Sequence, residues 1–173
     1  PTARVLVLER GQMLTHQQQG DRARQLDDEA QASYSTSTPW KAWRFRMAFG
    51  GSSNCWLACT PRMTPADFRL KSLHGHGVDW PIQYDDIEPY YCDAEDAMSV
   101  SGPQDGGPWR RSRPYPQPPH RMAAPDRLLQ AANPQWWLPQ PAARPTRPTS
   151  KRPACCATGT GWQCPVDSTF TGL

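Results

Sequence analysis

Hydrophobic residues form a few short patterns along this chain, separated by long polar stretches. Residues 3–8 are an apolar run with β-branched members that ends at Glu9 and a turn at Gly11, which is typical of a buried parallel strand. Residues 40–49 alternate apolar with basic side chains at a period near two. This alternation predicts a second strand, which leads into Gly50.

Helical patterns occur in three places. Residues 20–32 permit a helix but are very polar, so they form either a solvent-facing helix or a disordered connector. Residues 86–98 carry the strongest pattern, with Asp85 suited to the N-cap and Glu88 three residues on as its capping-box partner. That helix is predicted to bury Ile87, Tyr90, Tyr91, Ala94 and Met98. A short third helix is predicted from Pro125-Asp126 to about Ala132.

Composition lowers the expectation of a self-sufficient domain. The chain has 173 residues, of which 37% are hydrophobic, and 14 of its 20 prolines lie from Pro103 onward. Such a chain buries little apolar surface per ordered residue, so the conformational entropy lost on folding is hard to offset. We therefore expect much irregular, proline-rich structure in the carboxyl-terminal half.

Charge excludes some function classes. The formal net charge is +3, and the basic residues are not gathered with aromatic residues on one element, which argues against a nucleic-acid partner. Residues 79–105 hold eight acids and no Lys or Arg, whereas residues 110–152 hold nine bases and one acid, Asp126. We expect two solvated faces that attract each other. No run of 18 apolar residues exists, so no membrane span is predicted.

The stretch from Gly50 to Trp56 (Gly50, Gly51, Ser52, Ser53, Asn54, Cys55, Trp56) has the residues of a ligand loop. Adjacent glycines let the backbone turn through positive φ and approach a ligand closely. Two hydroxyls and a run of free N–H groups would suit an anion such as a pyrophosphate, and Trp56 would add a flat wall. An equally plain interpretation is a flexible loop.

Glu9 is a second candidate ligand residue. An acid at the end of the second strand of a dinucleotide-binding unit accepts hydrogen bonds from ribose hydroxyls. The glycine-rich phosphate turn that accompanies it would precede Pro1. A glutamate at a strand end is otherwise an ordinary surface residue.

The order of these motifs resembles the glucose–methanol–choline oxidoreductase family, most of all the flavoprotein subunits of bacterial dehydrogenases for sugars, polyols and gluconate. The resemblance is dense from Gly50 to Gly102. It rests on Gly50–Trp56, Arg62, Pro65–Phe68 and Gly77–Tyr91, with support from Arg113–Pro116, Pro141–Arg144, Arg152–Cys156 and Cys164–Val166.

The resemblance implies an α/β fold: an incomplete FAD-binding Rossmann-like domain at residues 1–68, and part of an α+β substrate (cap) domain at 69–173. It implies oxidation of a CH–OH group of a sugar, polyol or sugar acid by hydride transfer to flavin. Glu9 would hold the adenosine ribose. The flavin and its phosphates would contact Gly50, Gly51, Ser52 and Ser53, and the isoalloxazine ring would contact Asn54, Cys55 and Trp56.

The chain departs from the family pattern at several points. Relatives often have His where Cys55 stands, and some use that His for a covalent flavin link. The catalytic base of the family would lie beyond Leu173, and no catalytic residue is assigned, because the family's base matches none of His16, His74, His76 and His120. We therefore expect an internal fragment of the enzyme.

Six cysteines divide into two groups. Cys55, Cys59 and Cys92 are expected to be small buried apolar residues. Cys155, Cys156 and Cys164 lie in a Gly/Pro-rich loop, where some members of the resembling group carry an iron–sulfur cluster that passes electrons to a cytochrome subunit. Those members have a further Cys in the interval that corresponds to residues 157–163 of this chain. In this chain the interval contains no Cys. Free thiols or a disulfide are the alternatives.

Three hypotheses follow. The first is a fragment of an FAD-dependent dehydrogenase with a small alcohol or sugar substrate, located in the bacterial periplasm or at the membrane through a partner subunit if it is like the resembling group. The second is a proline-rich, non-functional product of a truncated or decayed gene. The third is a thiol metal-binding module at Cys155–Cys164.

Overall fold

The computed structural model describes residues 4–22, 26–41, 43, 45–105, 107–135, 137–157 and 164–171. These residues form short helices joined by long irregular segments. The α-helices are α1 (His16–Arg22), α2 (Asp28–Ala32), α3 (Leu70–His74), α4 (Tyr84–Met98) and α5 (Ala124–Ala132), and 3₁₀ helices cover Gly51–Asn54 and Pro65–Arg69. Within these ranges the extended segments meet only in isolated bridges, and no β-strand forms.

The predicted strand at residues 3–8 is not formed over the described residues 4–8. Its apolar side chains are exposed, up to 86% at Leu8. A parallel strand needs a neighbour to pair its backbone N–H and C=O groups, and none of the described segments runs beside it. The sequence pattern is that of a strand, but the partners that would form one are not among these residues.

The predicted strand at 40–49 is also absent from the part of that range that the structure describes. Only Ala48 pairs, in an isolated parallel bridge with Gln12. The predicted polar helix at 20–32 is instead divided, because α1 ends at Arg22 and α2 begins at Asp28, with residues 23–25 outside the described ranges. Asp27 caps α2 by accepting the backbone N–H of Ala30 at 3.0 Å.

Helix α4 begins at Tyr84, two residues earlier than predicted. Its capping box joins Gln83 and Asp86, whose carboxylate accepts the backbone N–H of Gln83 at 2.8 Å. The predicted capping pair of Asp85 and Glu88 was therefore wrong. The Glu88 carboxylate points into the protein and is held by other partners.

The buried face of α4 also differs from the predicted one. Tyr84, Glu88, Cys92 and Glu95 are buried, whereas Tyr90 is 69% exposed. Among the other residues that we predicted to be buried, Ala94 is exposed, and Ile87, Tyr91 and Met98 are half-buried. The reason is a buried arginine, described below, that draws the two glutamates inward.

The hydrophobic core is small and contains residues from distant parts of the chain. Ala58, Val100, Tyr115 and Ala143 form the buried cluster, and Trp56, Met98 and Phe170 pack against it. The proline-rich half contributes to this core, since Pro141 and Pro145 are among its fully buried side chains. Helix α5 confirms the predicted short helix, although no residue in it is buried.

The predicted boundary between residues 68 and 69 falls inside the 3₁₀ helix Pro65–Arg69, which continues directly into α3. The division into 1–68 and 69–173 stays a prediction. Among the helices that the structure describes, none has the length and apolar character needed to cross a membrane.

Candidate functional site

The glycine pair adopts the backbone conformation for which glycine is suited. Gly50 has φ of 86° and Gly51 has φ of 55°, and the 3₁₀ helix Gly51–Asn54 follows at once. Side chains rarely tolerate positive φ, so a glycine pair here is a steric requirement of the turn. No atom of the described residues lies within 4 Å of the position that a Cβ of Gly51 would take. One side of the loop is therefore open.

Three backbone N–H groups of this loop donate to carbonyls in or next to it. The N–H of Gly51 donates to Ala48 at 2.7 Å, that of Ser53 to Gly50 at 3.2 Å, and that of Cys55 to Ser52 at 3.0 Å. The Ser53 hydroxyl also donates to the Gly50 carbonyl at 2.6 Å. The expected run of free N–H groups was thus wrong at these three positions, because the 3₁₀ turn takes their hydrogen bonds.

Asn54 provides an unused acceptor. Its Nδ2 donates to the carbonyls of Phe49 at 2.8 Å and Gly51 at 3.0 Å, which holds the amide in one orientation. Its Oδ1 is buried and has no hydrogen-bond partner among the described residues. A buried acceptor left unpaired costs about 1–3 kcal/mol. The loop therefore presents a fixed oxygen that a ligand N–H or O–H group could satisfy.

The segment of Glu9 lies beside this loop. Gln12 and Ala48 form a parallel bridge, and the N–H of Phe49 donates to the Gln12 carbonyl at 2.9 Å. The Glu9 carboxylate is exposed and accepts the N–H of Gly11 at 2.6 Å. The structure thus places Gln12 against Ala48 and Phe49, so the segment after Glu9 lies next to the start of the glycine loop, although the two are far apart along the chain.

Trp56 and Cys55 are both half-buried. The Trp56 ring packs against the core cluster, and its Nε1–H donates to the carbonyl of Phe170 at 2.8 Å. Trp56 therefore anchors the end of the loop to the carboxyl-terminal segment. The sequence predicts Trp56 as a flat wall beside the isoalloxazine ring and gives no sign of this anchoring role.

A buried ionic network lies next to the core, and sequence reasoning missed it. Arg62 contacts Glu95 through two parallel bonds, Nε to Oε1 at 2.7 Å and Nη2 to Oε2 at 2.8 Å, and its Nη1 donates to Glu88 at 3.0 Å. Tyr84 and Cys92 also accept from this guanidinium. The signal was present, since α4 places these polar residues at a helical spacing on one face.

Electrostatics within the network follow from this geometry. Burial opposes the charge on Arg62, but hydrogen bonds, first from Glu95, outweigh it and raise the pKa of Arg62. Burial likewise opposes ionisation of Glu88, yet donors led by the N–H of Ser112 lower the pKa of Glu88 to about 2. Both groups are therefore charged at neutral pH.

Arg111 extends the network to Tyr115. It contacts Glu95 at 2.5 Å, and its guanidinium lies 3.5 Å from the centre of the Tyr115 ring. Burial, followed by the charge of Glu95, raises the pKa of Tyr115 to about 12. The network therefore joins the segment of Arg62, helix α4 and the segment after residue 109.

None of the six cysteines, which all lie within the described ranges, forms a disulfide. Cys92 is buried as expected, but Cys55 is half-buried and Cys59 exposed, so that expectation was wrong for these two. Cys155 accepts from Arg144 at 3.9 Å and from the N–H of Ala157 at 3.4 Å, and Cys156 is exposed.

The surroundings of Cys164 stabilise its thiolate form. Its sulfur accepts the N–H of Ser168 at 3.1 Å and lies 3.3 Å from the Ser168 hydroxyl. Burial opposes the thiolate, but these bonds and those from neighbouring N–H groups lower the pKa of Cys164 to about 7. Within the described ranges, no three His, Cys, Asp or Glu side chains are grouped so that they could hold a metal. Residues 158–163 of the intervening loop lie outside those ranges.

Comparison with known proteins relates the chain to dehydrogenases. It is 33% identical over 135 residues to the fructose dehydrogenase large subunit of Gluconobacter japonicus, a match that covers 72% of this chain and 24% of that protein. It is 38% identical over 55 residues to the 2-methyl-1,2-propanediol dehydrogenase of Mycolicibacterium austroafricanum, covering 31% of this chain and 10% of that protein. No protein-family model matches the chain.

The chain thus spans about a quarter of the length of the fructose dehydrogenase subunit. These relatives support an oxidoreductase-related sequence at a coarse level. The cofactor, the substrate and the family require separate arguments.

Proposed function

We propose that these residues are part of an FAD-dependent oxidoreductase of the glucose–methanol–choline type, which oxidises a CH–OH group of a sugar, polyol or sugar acid. The observation that carries the proposal is the contact between the Glu9–Gln12 segment and Ala48-Phe49, the entrance to the glycine loop. In dinucleotide-binding folds an acid at a strand end holds the ribose and a glycine-rich turn lies close to the cofactor.

The residues present fit the flavin end of such a cofactor. The buried Oδ1 of Asn54 lacks a donor among the described residues, and the isoalloxazine ring carries an N–H group that could provide one. The open space at Gly51 allows close approach of a ring. Because the N–H groups of Gly51, Ser53 and Cys55 are used internally, we do not assign the pyrophosphate to them.

Each group of this chain then has a limited role. Glu9 would accept hydrogen bonds from the ribose hydroxyls, and Asn54 would orient the ring. Trp56, fixed through Phe170, would hold the loop against the core. The bound flavin would supply the hydride acceptor, since the cofactor carries the redox chemistry. We assign no proton-transfer step to a residue of this chain.

The substrate class rests on the relatives. One is named for fructose and the other for a propanediol, so both act on molecules with more than one hydroxyl group.

In the complete protein we expect residues 4–8 to pair as a strand of a Rossmann-like sheet, which would cover their exposed side chains. A partner subunit, such as a cytochrome, would accept the electrons. An iron–sulfur cluster at Cys155, Cys156 and Cys164 stays a prediction.

The test is the flavin content of the full-length polypeptide that carries these residues. We expect visible flavin absorbance in the purified protein, and reduction of an artificial acceptor dye with fructose, a polyol or gluconate. Asn54→Leu should lower the flavin content, because the ring loses its acceptor. Asn133→Leu, the same change at an exposed residue after α5, is the matched control.

Two outcomes would reject the proposal. One is a folded wild-type protein that neither carries FAD nor binds it when FAD is added. The other is equal flavin content in the Asn54 and Asn133 variants, which would remove the loop from the site.

A further inference from the structure

A cavity of about 450 Å³ lies between the start of α5 and the proline-rich segment that follows it. Its lining comes from several segments: Cys59, His120–Ala123, Asp126, Trp137–Gln140, Ala142, Arg144, Cys155 and Ala157. The residues assigned to the flavin do not line this space, although Cys155, a predicted iron–sulfur ligand, does.

Arg144 lines the cavity and has an unused hydrogen-bond donor. Its Nε is buried and has no hydrogen-bond partner among the described residues. Of the ion pairs found within the described ranges, none includes Arg144. The weak contact of its Nη1 with the Cys155 sulfur at 3.9 Å does not neutralise its charge. A guanidinium that has an unused donor and no ion-pair partner among these residues favours an anionic acceptor with planar geometry, such as a carboxylate.

His120 fixes the backbone from which Arg144 projects. Its Nε2 lies 3.1 Å from the Arg144 carbonyl, and because a carbonyl oxygen only accepts, this nitrogen carries the hydrogen. Burial lowers the pKa of His120, so the ring is uncharged at neutral pH. The charged groups of the lining are then Arg144, the exposed Arg121 and the half-buried Asp126. The net charge of these three side chains is positive.

Most of the remaining lining is apolar. Met122, Trp137, Leu138 and Pro139 face the cavity, and the Trp137 side chain remains partly exposed. An inorganic anion would leave these walls without contacts, whereas a flat apolar body would cover them. The positive charge of Arg144 and the apolar walls together fit a single ligand that has an anionic end and a flat apolar end.

We propose that this cavity binds a small organic carboxylate with a planar apolar body, its carboxylate on the Arg144 guanidinium and its body against Trp137 and Leu138. This site is separate from the flavin site and goes beyond the proposed function.

The test compares three probes by calorimetric titration of the full-length polypeptide. Benzoate carries both features, acetate lacks the ring, and benzyl alcohol lacks the charge. We expect saturable binding of benzoate, with acetate and benzyl alcohol each about 10-fold weaker or more. Absence of saturable benzoate binding, or equal affinity for benzoate and either partial probe, would overturn the proposal.

Variants then assign the contacts. Arg144→Gln should weaken benzoate binding by about 10- to 100-fold, the loss of a charge-assisted hydrogen bond. Arg147→Gln makes the same change at an exposed position three residues on and should leave binding unchanged. Trp137→Ala should weaken benzoate but not acetate, and it tests the site without altering the arginine. Equal effects of the two arginine variants would contradict the assignment, as would a Trp137 variant with unchanged benzoate affinity.

The readout is independent of the redox chemistry. Flavin content should be the same in wild type and Arg144→Gln. A protein without flavin that still binds benzoate through Arg144 would reject the proposed function and support this site.

Discussion

Gly11 lies directly against the backbone of Ala48: a Cβ built on Gly11 would stand 2.4 Å from the carbonyl carbon of Ala48. This contact brings the Glu9 segment to the entrance of the glycine loop. No side chain fits between the two backbones, so their approach depends on glycine at position 11.

The first prediction follows from this contact. Gly11→Ala should destabilise the protein by about 1–3 kcal/mol, because the added carbon overlaps backbone that cannot move without cost. Gly20→Ala is the matched control, since no atom of the described residues lies within 4 Å of its Cβ position and a helical alanine is favoured over glycine. Urea unfolding measures both. If the two variants are equally stable, the two backbones are not in contact.

The second prediction concerns the pair of Arg62 and Glu95. Glu95→Gln should lower the free energy of unfolding by about 3–5 kcal/mol, because breaking a buried ion pair leaves a charge without compensation. Asp93→Asn breaks the exposed pair with Arg113 and should have a far smaller effect, since water screens it. A small loss from Glu95→Gln would show that the pair is accessible to water.

The third prediction is a pH dependence from Glu88. Its pKa falls from an ordinary 4.5 to about 2 in the folded protein, so between these values the unfolded chain binds more protons than the folded one. Stability contributed by Glu88 is full above pH 4.5 and is lost as the pH falls toward 2, by at most about 1.4 kcal/mol per pH unit.

Unfolding of wild type and Glu88→Gln, measured across this range, isolates the contribution. The wild-type curve should fall toward the variant curve as the pH decreases. Curves that stay parallel would mean that Glu88 does not titrate in this window.

The fourth prediction concerns Cys164. With its pKa lowered to about 7 from an ordinary 9.0, its alkylation by iodoacetamide should rise with a midpoint near neutral pH. Ser168→Ala removes the hydroxyl contact and should move the midpoint upward, as should unfolding in urea. Peptide mass spectrometry follows the site. A midpoint that is the same in folded and urea-unfolded protein would rule out the stabilised thiolate.

The elements that the sequence predicted correctly are local ones. Helix α5 was found because Pro125 and Asp126 mark its first turn and the residues after them favour a helix. The course of α4 was predicted to within two residues, and the glycine loop was located at Gly50. Each depends on interactions between residues a few positions apart.

The predicted strands were not confirmed, because a strand depends on residues that are distant in the chain. Val5 to Leu8 has the composition of a buried strand, but a strand exists only when another backbone pairs with it. The Glu9 and Gly50 segments were each identified in the sequence, whereas their contact became visible only in the structure.

The buried face of α4 is the clearest example of a feature that the tertiary structure decided and the local sequence did not. The sequence alone predicted a helix over residues 86–98, because helix propensity and the turn that follows act locally. The tertiary structure decided that Glu88 and Glu95, not Tyr90, point inward, because the guanidinium of Arg62, distant in the chain, is buried beside them. A buried charge requires partners of opposite sign, and this requirement outweighed the hydrophobic pattern.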